Sequence, residues 1–420
     1  MQTDFNQRYR REPLKRPGDK SLDKVRAATA GLTERLRQAP DRLAGLSYYE
    51  DLMDGHKRLQ ELKILKKKVV GTFCYFVPEE IIQAVGAVPL RLCSGHSETI
   101  TTAEELMPRD ICPLAKSSLG FFVADGGWAK ACDVAVLPTS CDAKTKLGEY
   151  LSDYLPVWML NLPKIKDYQV YKKQWLEEIK RLTGKLEALT GVKLTAHNLK
   201  SAVRLHQRRS EAYRKLYEIR LKHPGIIAHQ DLLMLVQSSF YDDIERWTAR
   251  TEALVRDMQV QTNRKSFPAK GKKLLVTGGP MIWPNYKILN IVSELGSTVV
   301  ADDMCVGHQW LWDYPEPDEW TLEGMLEAVA TRRFFPTVCP CFTNSYDRID
   351  KILTLAKETG AEGVIYHDLR LCQLFDMEKD LVNKVLKENK IPVLTLHSDY
   401  GQEDVEQLRT RIEAFLEMIL

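Results

Sequence analysis

The residues of this chain best equipped to do chemistry are its nine cysteines, and they fall in two groups. Cys74, Cys93, Cys112, Cys132 and Cys141 form the first, and Cys305, Cys339, Cys341 and Cys372 form the second. Most sit where a run of apolar residues that reads as a β-strand has just ended. Cys74 lies near the end of VVGTFC, Cys93 closes VPLRLC, and Cys141 follows DVAVLPTS. Cys305 follows VVADDM, and Cys372 lies shortly beyond EGVIYH. In open α/β sheets, ligands bind outside the carboxyl ends of the strands, so thiols placed there converge on a cleft. Cys112 opens the helical pattern CPLAKSS, where free N–H groups and the helix dipole favour a thiolate. Cys339 and Cys341 form a CPC whose proline, like Pro113, withholds an N–H and stiffens the loop.

Zinc sites usually bring paired C-x₂₋₄-C knuckles, and this chain has none outside the CPC. The ferredoxin run C-x₂-C-x₂-C is also absent. Single thiolates drawn from distant strand ends suit an iron–sulfur cluster better. One cubane takes at most about four cysteines, fewer than are placed at these strand ends. Cys132, in WAKACDVAV just before a buried strand, reads as a core residue. Cys74, within FCYF, and Cys93, in apolar surroundings, stand between core and ligand. Cys112, Cys141 and Cys372 read as ligands, followed by Cys305, Cys339 and Cys341. Lys116, Ser117 and Ser118, in the first turns after Cys112, are expected to donate hydrogen bonds around the sulfur. Lys144 and Lys146 either offset cluster charge or stand in solvent. Asp302, Asp303 and His308 flank Cys305 as proton shuttles or local caps. TGGP at 277 to 280 reads as a tight turn. His197, His206, His223 and His229 are expected at the surface or at helix caps.

At 420 residues, the chain exceeds the size at which one core stops growing, so two or three domains are expected. Hydrophobic residues make up 44% and charged residues 28%, as in an ordinary globular protein. A net charge of +3 on 60 basic and 57 acidic residues makes no electrostatic case for nucleic acid or an anionic membrane as partner. No stretch approaches the roughly 18 to 20 apolar residues that span a bilayer. The basic N-terminal stretch lacks the apolar core of a secretory signal, so a cytoplasmic chain is expected. There disulfides are rare, and an odd cysteine count argues further against a disulfide framework.

Four segments follow from the texture of the chain, and the expected class is α/β. Residues 1–65 read as an N-terminal helical arm that wraps a neighbouring subunit, with 1–20 as a partly disordered leader. Residues 66–165 alternate short strands (VVGTFCYF, VPLRLC, DVAVLPTSC, PVWMLNLP) with helices, as a parallel sheet covered on both faces does. Residues 166–268 carry long 3.6-periodic patterns over Tyr168–Thr190, Thr195–Lys222 and Ile227–Thr262 and form a helical bridge. Residues 269–420 return to alternation with KKLLVTGGP, STVVADD, EGVIYH and PVLTLH. Helices are expected near Tyr286–Leu295, Leu322–Thr331, Ser345–Lys357 and Met377–Glu388, and from Glu403 onward. Two Rossmann-like, flavodoxin-like parallel-sheet domains joined by helices are the result.

Over this framework the chain resembles the 2-hydroxyacyl-CoA dehydratase and benzoyl-CoA reductase superfamily, and within it the branch called double-cubane cluster proteins. The resemblance runs from about Lys68 to the C-terminus. It rests on VVGTFCYFVPEEIIQAVGAVPLRLCSG, DICPLAKSSLGF, LPTSCDAKTKLGEYL, LLVTGGP, the Cys305 turn, CPCFTN, the Cys372 segment and HSDYGQEDVEQLRTRIEAFLEMI. It implies two Rossmann-like domains facing each other across an iron–sulfur cleft. Dehydratase members hold one [4Fe–4S] cluster on three cysteines, which correspond here to Cys112, Cys141 and Cys372. The double-cubane branch holds an [8Fe–9S] cluster on six, for which Cys305, Cys339 and Cys341 are the further choices and Cys93 and Cys74 the reserves. The resemblance also implies an ATP-hydrolysing [4Fe–4S] activator protein as electron source, a homodimer and a small-molecule substrate. The implied activity is ATP-dependent reduction. The alternatives are a 2-hydroxyacyl-CoA dehydratase subunit and a non-catalytic electron-storage protein. The chain carries no G-x-x-x-x-G-K-[ST] loop, which leaves ATP chemistry to the activator.

Overall fold

The computed structural model describes residues 21–38, 42–53, 56–125 and 131–419. Its eight strands are β1 (Val69–Thr72), β2 (Val88–Arg91), β3 (Val134–Pro138), β4 (Val157–Leu160), β5 (Lys273–Gly278), β6 (Thr298–Asp302), β7 (Gly363–Leu369) and β8 (Val393–Ser398). They build two four-stranded parallel sheets in the orders β2-β1-β3-β4 and β6-β5-β7-β8. The same order twice means that each sheet reverses its winding between its first and third strands. Loops diverge at that switch point and leave a crevice. β3 and β7 are buried along their whole length, which is why they read as unbroken apolar runs rather than alternating ones. Pro89 is tolerated in β2 because this strand is an edge and pairs with β1 alone. One apolar core runs through both sheets and the helices between them.

The helix Ala196–Lys222 joins the two sheets. It opens on a capping box between Thr195 and Asn198. It packs on the helices Ile244–Thr262 and Glu79–Ala84, then on His308–Trp312 and Leu322–Arg332. The long periodic run expected over Ile227–Thr262 is two helices, His229–Ser238 and Ile244–Thr262. The break comes where the Asp243 carboxylate accepts the N–H groups of Glu245 and Arg246 and starts a new helix. His206 and His229 do not lie at the surface, as was expected. Both are buried. His206 Nε2 meets Gln83 Oε1 at 2.7 Å, and His229 Nε2 lies 3.1 Å from Asp302. Each stands on a helix face that packs inward, and periodicity alone did not distinguish that face.

The expected subunit-wrapping arm is docked on its own chain between residues 42 and 53. Arg42 donates to Asp231 from Nε at 3.0 Å and from Nη2 at 2.6 Å, and it also pairs with Glu50. The buried Tyr49 hydroxyl meets Thr251 Oγ1 at 3.0 Å. Residues 1–20, expected as a disordered leader, lie outside the described residues. Among the described residues no helix is long and apolar enough to cross a membrane.

Gly278 ends β5 at the second switch point with φ +112°. A Cβ there would stand 1.9 Å from the His367 carbonyl oxygen, which also accepts the Gly279 N–H at 2.6 Å. The TGGP segment is thus a turn closed against β7. Gly278→Ala combines a disfavoured φ with a backbone clash. It is expected to cost about 3 kcal/mol, read as a lowered denaturant midpoint.

Candidate metal centre

The doubled topology puts cysteines at equivalent places in both sheets. Cys141 follows β3 and is the residue before the helix Asp142–Leu151. Cys372 follows β7 and is the residue before the helix Gln373–Glu388. That helix starts four residues earlier than its periodicity indicated, and this places Cys372 at its N-terminus. Cys112 immediately precedes the helix Pro113–Asp125. Unpaired N–H groups of a first helical turn are therefore aimed at each sulfur. The N–H groups of Ala115 and Leu114 favour the thiolate of Cys112, that of Lys144 the thiolate of Cys141 and that of Phe375 the thiolate of Cys372, without a side-chain capping hydrogen bond at Cys141 or Cys372. These amide donors had no signature in the sequence beyond the helix starts.

One thiol pair spans the two sheets and a second lies within the unit of the second sheet. The Cys372 thiol donates to Cys112, and that bond brings Cys112 down to about 7 despite burial. Cys372 keeps its proton, and its own pKa is raised by the same bond and by burial. Cys339 is likewise brought to about 7, first by the Cys341 thiol and then, against burial, by the Cys341 N–H. Cys341 is raised in return. Burial raises Cys141 and Cys305. The fields of Cys112, Cys141 and Cys372 act on one another, and so do those of Cys305 and Cys339. Cys74 acts on Cys141, Cys305 and Cys341 and so stands between the two sets. Cys93 is buried at the end of β2 and shares the field at Lys144. Cys132 is apart, buried beneath β1, and burial pushes its thiol to about 12.

Lys144 is half-buried among these sulfurs. Desolvation works against its charge, yet the fields of Cys74, Cys141, Cys93 and Cys305 hold its pKa well above the usual lysine value. It is a cation placed among cysteine side chains. Lys146, by contrast, is exposed and pairs with Glu149 at 2.7 Å.

Cys74 occupies the left-handed region at φ +67°, and so does Leu371 at φ +63°, next to Cys372. A non-glycine residue there costs about 1–3 kcal/mol and persists only when its surroundings impose it. For Cys74 the surroundings are two arginines. Arg91 Nη1 donates to the Cys74 carbonyl at 2.6 Å, and Arg333 Nη1 donates to the Tyr75 carbonyl at 2.9 Å. Arg333 also grips both Glu80 oxygens, at 3.0 and 2.9 Å. Arg91 lies over the Trp310 ring at 4.4 Å and the Phe240 ring at 4.7 Å. With Arg209 and Arg332, four buried guanidinium groups face two buried carboxylates, Glu79 and Glu80, behind the Cys74 turn. The one mark of this feature in the sequence is an arginine inside the apolar run VPLRLC, and it gives no hint of the partners.

The donors expected around Cys112 are committed elsewhere. Lys116 Nζ donates to Glu104 and to the Arg109 carbonyl, each at 2.8 Å. The Ser117 hydroxyl donates to the His96 carbonyl at 2.8 Å, and Ser118 Oγ accepts the Ser94 N–H at 3.1 Å. These three side chains fasten the loop after β2 instead of facing sulfur. Around Cys305 the capping alternative holds. Asp302 accepts the N–H groups of Met304 at 2.8 Å and His308 at 3.1 Å. Asp303 is paired with Arg348 at 2.6 Å. His308 packs between Tyr217 and Trp312, and burial lowers it to about 3.

A cleft of about 850 Å³ opens beside Cys112 and Cys372, lined by Pro113, Lys116, Leu371, Asp368, His397 and Gly401 among others. On its wall His397 Nδ1 lies 2.5 Å from the buried Asp368 carboxylate. Tyr400, on the turn after β8, is 2% exposed, and its hydroxyl has no hydrogen-bond partner. It lies in the fields of Cys112, Cys93, Cys372 and Cys305. Neither His397 nor Tyr400 was singled out from the sequence, where no periodic or cysteine-based signal marks them.

Comparison with known proteins extends over nearly the whole chain. The family model described as 2-hydroxyglutaryl-CoA dehydratase, D-component, matches residues 74–419. An Escherichia coli protein named "Putative dehydratase subunit YjiM" is 28% identical over 376 residues, covering 89% of this chain and 97% of that protein. The beta subunit of (R)-2-hydroxyglutaryl-CoA dehydratase from Acidaminococcus fermentans is 24% identical, covering 86% of this chain and 95% of its own. One of the subunits of benzoyl-CoA reductase from Thauera aromatica is 20% identical, covering 88% of this chain and 96% of its own.

Proposed function

We propose, on the premise that this chain belongs to the 2-hydroxyglutaryl-CoA dehydratase D-component family, that it is an iron–sulfur reductase. It takes in low-potential electrons and delivers them to a small molecule. The observation that carries this reading is the convergence of thiols from both sheets on one crevice, in two interacting sets with Lys144 among them. The donor set fits iron and sulfide. Two thiols titrate near 7, amide N–H groups are aimed at sulfur, and the nearby cations are buried.

Cys112, Cys141 and Cys372 would hold one cubane, and Cys305, Cys339 and Cys74 the other, as an [8Fe–9S] double cubane. Cys74 takes the place expected of Cys341 for two reasons. Its strained backbone is held by Arg91, and the Cys341 N–H and thiol are both turned on Cys339. When bound, the cluster stores and passes single electrons at low potential. Lys144 and the amide donors hold its negative charge in place. The cleft admits the substrate, and His397, oriented by Asp368, stands on its wall. An ATP-hydrolysing [4Fe–4S] activator docking over the cleft would supply the electrons to a cytoplasmic homodimer.

The names of several relatives favour a second reading. In it this chain is a 2-hydroxyacyl-CoA dehydratase subunit with one [4Fe–4S] cluster on Cys112, Cys141 and Cys372. Anaerobic iron and sulfide analysis with EPR of the reduced chain decides between them. About eight irons per chain supports the double cubane, and about four supports the dehydratase. A colourless chain containing zinc would sink both. A loaded chain that never turns over with activator, ATP and small reducible molecules would be an electron store.

A further inference from the structure

Tyr400 carries a buried hydroxyl that the fold leaves without a partner, beside the cleft that Pro113 and Leu371 line. Its turn is firmly held. Lys287 Nζ donates to the Gly401 carbonyl at 2.8 Å and to Asp404 at 2.5 Å, and the Gly401 N–H is taken by Asp399 at 2.8 Å. The ring therefore has no freedom to carry its hydroxyl out to water. Its neighbours Asp399 and Gly401 line the cleft together with Leu371 and Pro113, which adjoin Cys372 and Cys112 in the chain, and the fields of Cys112, Cys93, Cys372 and Cys305 reach its hydroxyl. A buried hydroxyl with no hydrogen bond costs about 1–3 kcal/mol, and phenylalanine would fill the same volume without that cost. Burial, and after it the nearby sulfur charges, keep the proton on this oxygen, so it remains a donor.

We propose that the Tyr400 hydroxyl donates an O–H···S hydrogen bond to the iron–sulfur group held by the surrounding cysteines, stabilising its more negative, reduced form. Tyr400 is a positioning and tuning residue for that group. The inference rests on the reading of the thiols as cluster ligands and adds to it a donor from a side chain that ligates nothing. Tyr217 is the natural control. Its hydroxyl is also buried without a partner, but it packs against His308 and Trp312, away from the sulfurs that surround Tyr400.

The test is Tyr400→Phe in the full chain, compared with wild type and Tyr217→Phe, each metal-free and loaded anaerobically with iron and sulfide. In the metal-free chain, Tyr400→Phe is expected to be at least as stable as wild type, because only an orphaned hydroxyl is removed. In the loaded chain it is expected to be less stable than wild type. Its EPR-monitored midpoint should move to more negative potential by about tenfold in the reduction equilibrium, which is about 59 mV for one electron. Tyr217→Phe should leave the potential unchanged. An equal stability change in both states, or an unshifted potential, overturns the proposal. So does a metal-free Tyr400→Phe chain that is clearly destabilised, because the hydroxyl then has a partner within the protein. A wild-type chain that binds no iron removes the reading of the thiols itself. The metal-free comparison still reports separately on whether the hydroxyl is orphaned.

Discussion

Alanine at Cys74 is expected to strip iron from the anaerobically loaded chain as severely as alanine at Cys305 or Cys339. Iron should fall from about eight to about four per chain or fewer. Alanine at Cys341 is expected to leave the iron count near that of wild type and to move only the potential. The argument is one of backbone and donors. Cys74 is held at φ +67° by an arginine on its own carbonyl, a strained conformation of the kind that collects at functional sites. Cys341 uses both its N–H and its thiol on Cys339, as a supporting donor does. Cys132→Ala is the negative control, since that thiol lies in the core beneath β1. Iron analysis of these variants against wild type decides the matter. Iron lost from Cys341→Ala and kept by Cys74→Ala would return Cys341 to the ligand set.

The second large effect concerns the charges behind the Cys74 turn. Glu80→Gln should destabilise the chain by about 3–5 kcal/mol, because it leaves Arg333 and its neighbours buried without their main counter-charge. Arg333→Leu should cost a similar amount for the mirror reason, with Glu80 stranded beside His206. Denaturant midpoints of the two single variants and the double variant check this. A double variant less destabilised than the sum of the singles is the signature of the pair.

The same region gives a pH dependence with a definite sign. Against desolvation, Arg333 first and then Arg332 hold the Glu80 carboxyl well below the usual range. Its contribution is therefore present above about 4.3 and lost as pH falls through the folded value. Burial lowers His308 and His367 to about 3 and also lowers His206 and His229. The unfolded chain binds those protons first, so stability falls as pH drops below about 6.5. Asp303 and Asp368, raised by burial to about 6, act in the opposite direction between about 4 and 6, as do Asp231 and Asp313, which burial also raises. The histidines outweigh these carboxyls because two of them are displaced to about 3 and the other two are also lowered. The denaturant midpoint should therefore decline steadily from pH 7.5 to pH 5. A flat profile would mean that the histidines are not held neutral in the fold.

Much of the architecture was legible because it is written in local periodicity. All eight strands lie where apolar runs ended in turn residues or cysteines, and their alternation with helices carried the parallel pairing. Helix starts were less legible. The helix after Cys372 begins at Gln373, with Cys372 at the N-cap position, and that start is decided by how the chain leaves β7 rather than by the apolar pattern that begins near Met377. Lys116, Ser117 and Ser118 were misassigned for a related reason. Position in a first helical turn sets their distance from Cys112 along the chain, but the partners they take depend on the loop after β2, remote in sequence.

The sequence alone determined which residue types are available to bind iron, that they follow strand ends, and that two α/β units would carry them. Those properties depend on hydrophobic period and residue chemistry, and both are local. Only the tertiary structure decided which thiols face one another, that Lys144 stands among them, that Arg91 grips the Cys74 carbonyl, and that Tyr400 arrives with its hydroxyl unpaired. Each of these depends on the distance and orientation between the two sheets, which the long helix Ala196–Lys222 helps to set by packing on both halves of the chain. No single segment contains that information, because it resides in contacts between residues hundreds of positions apart.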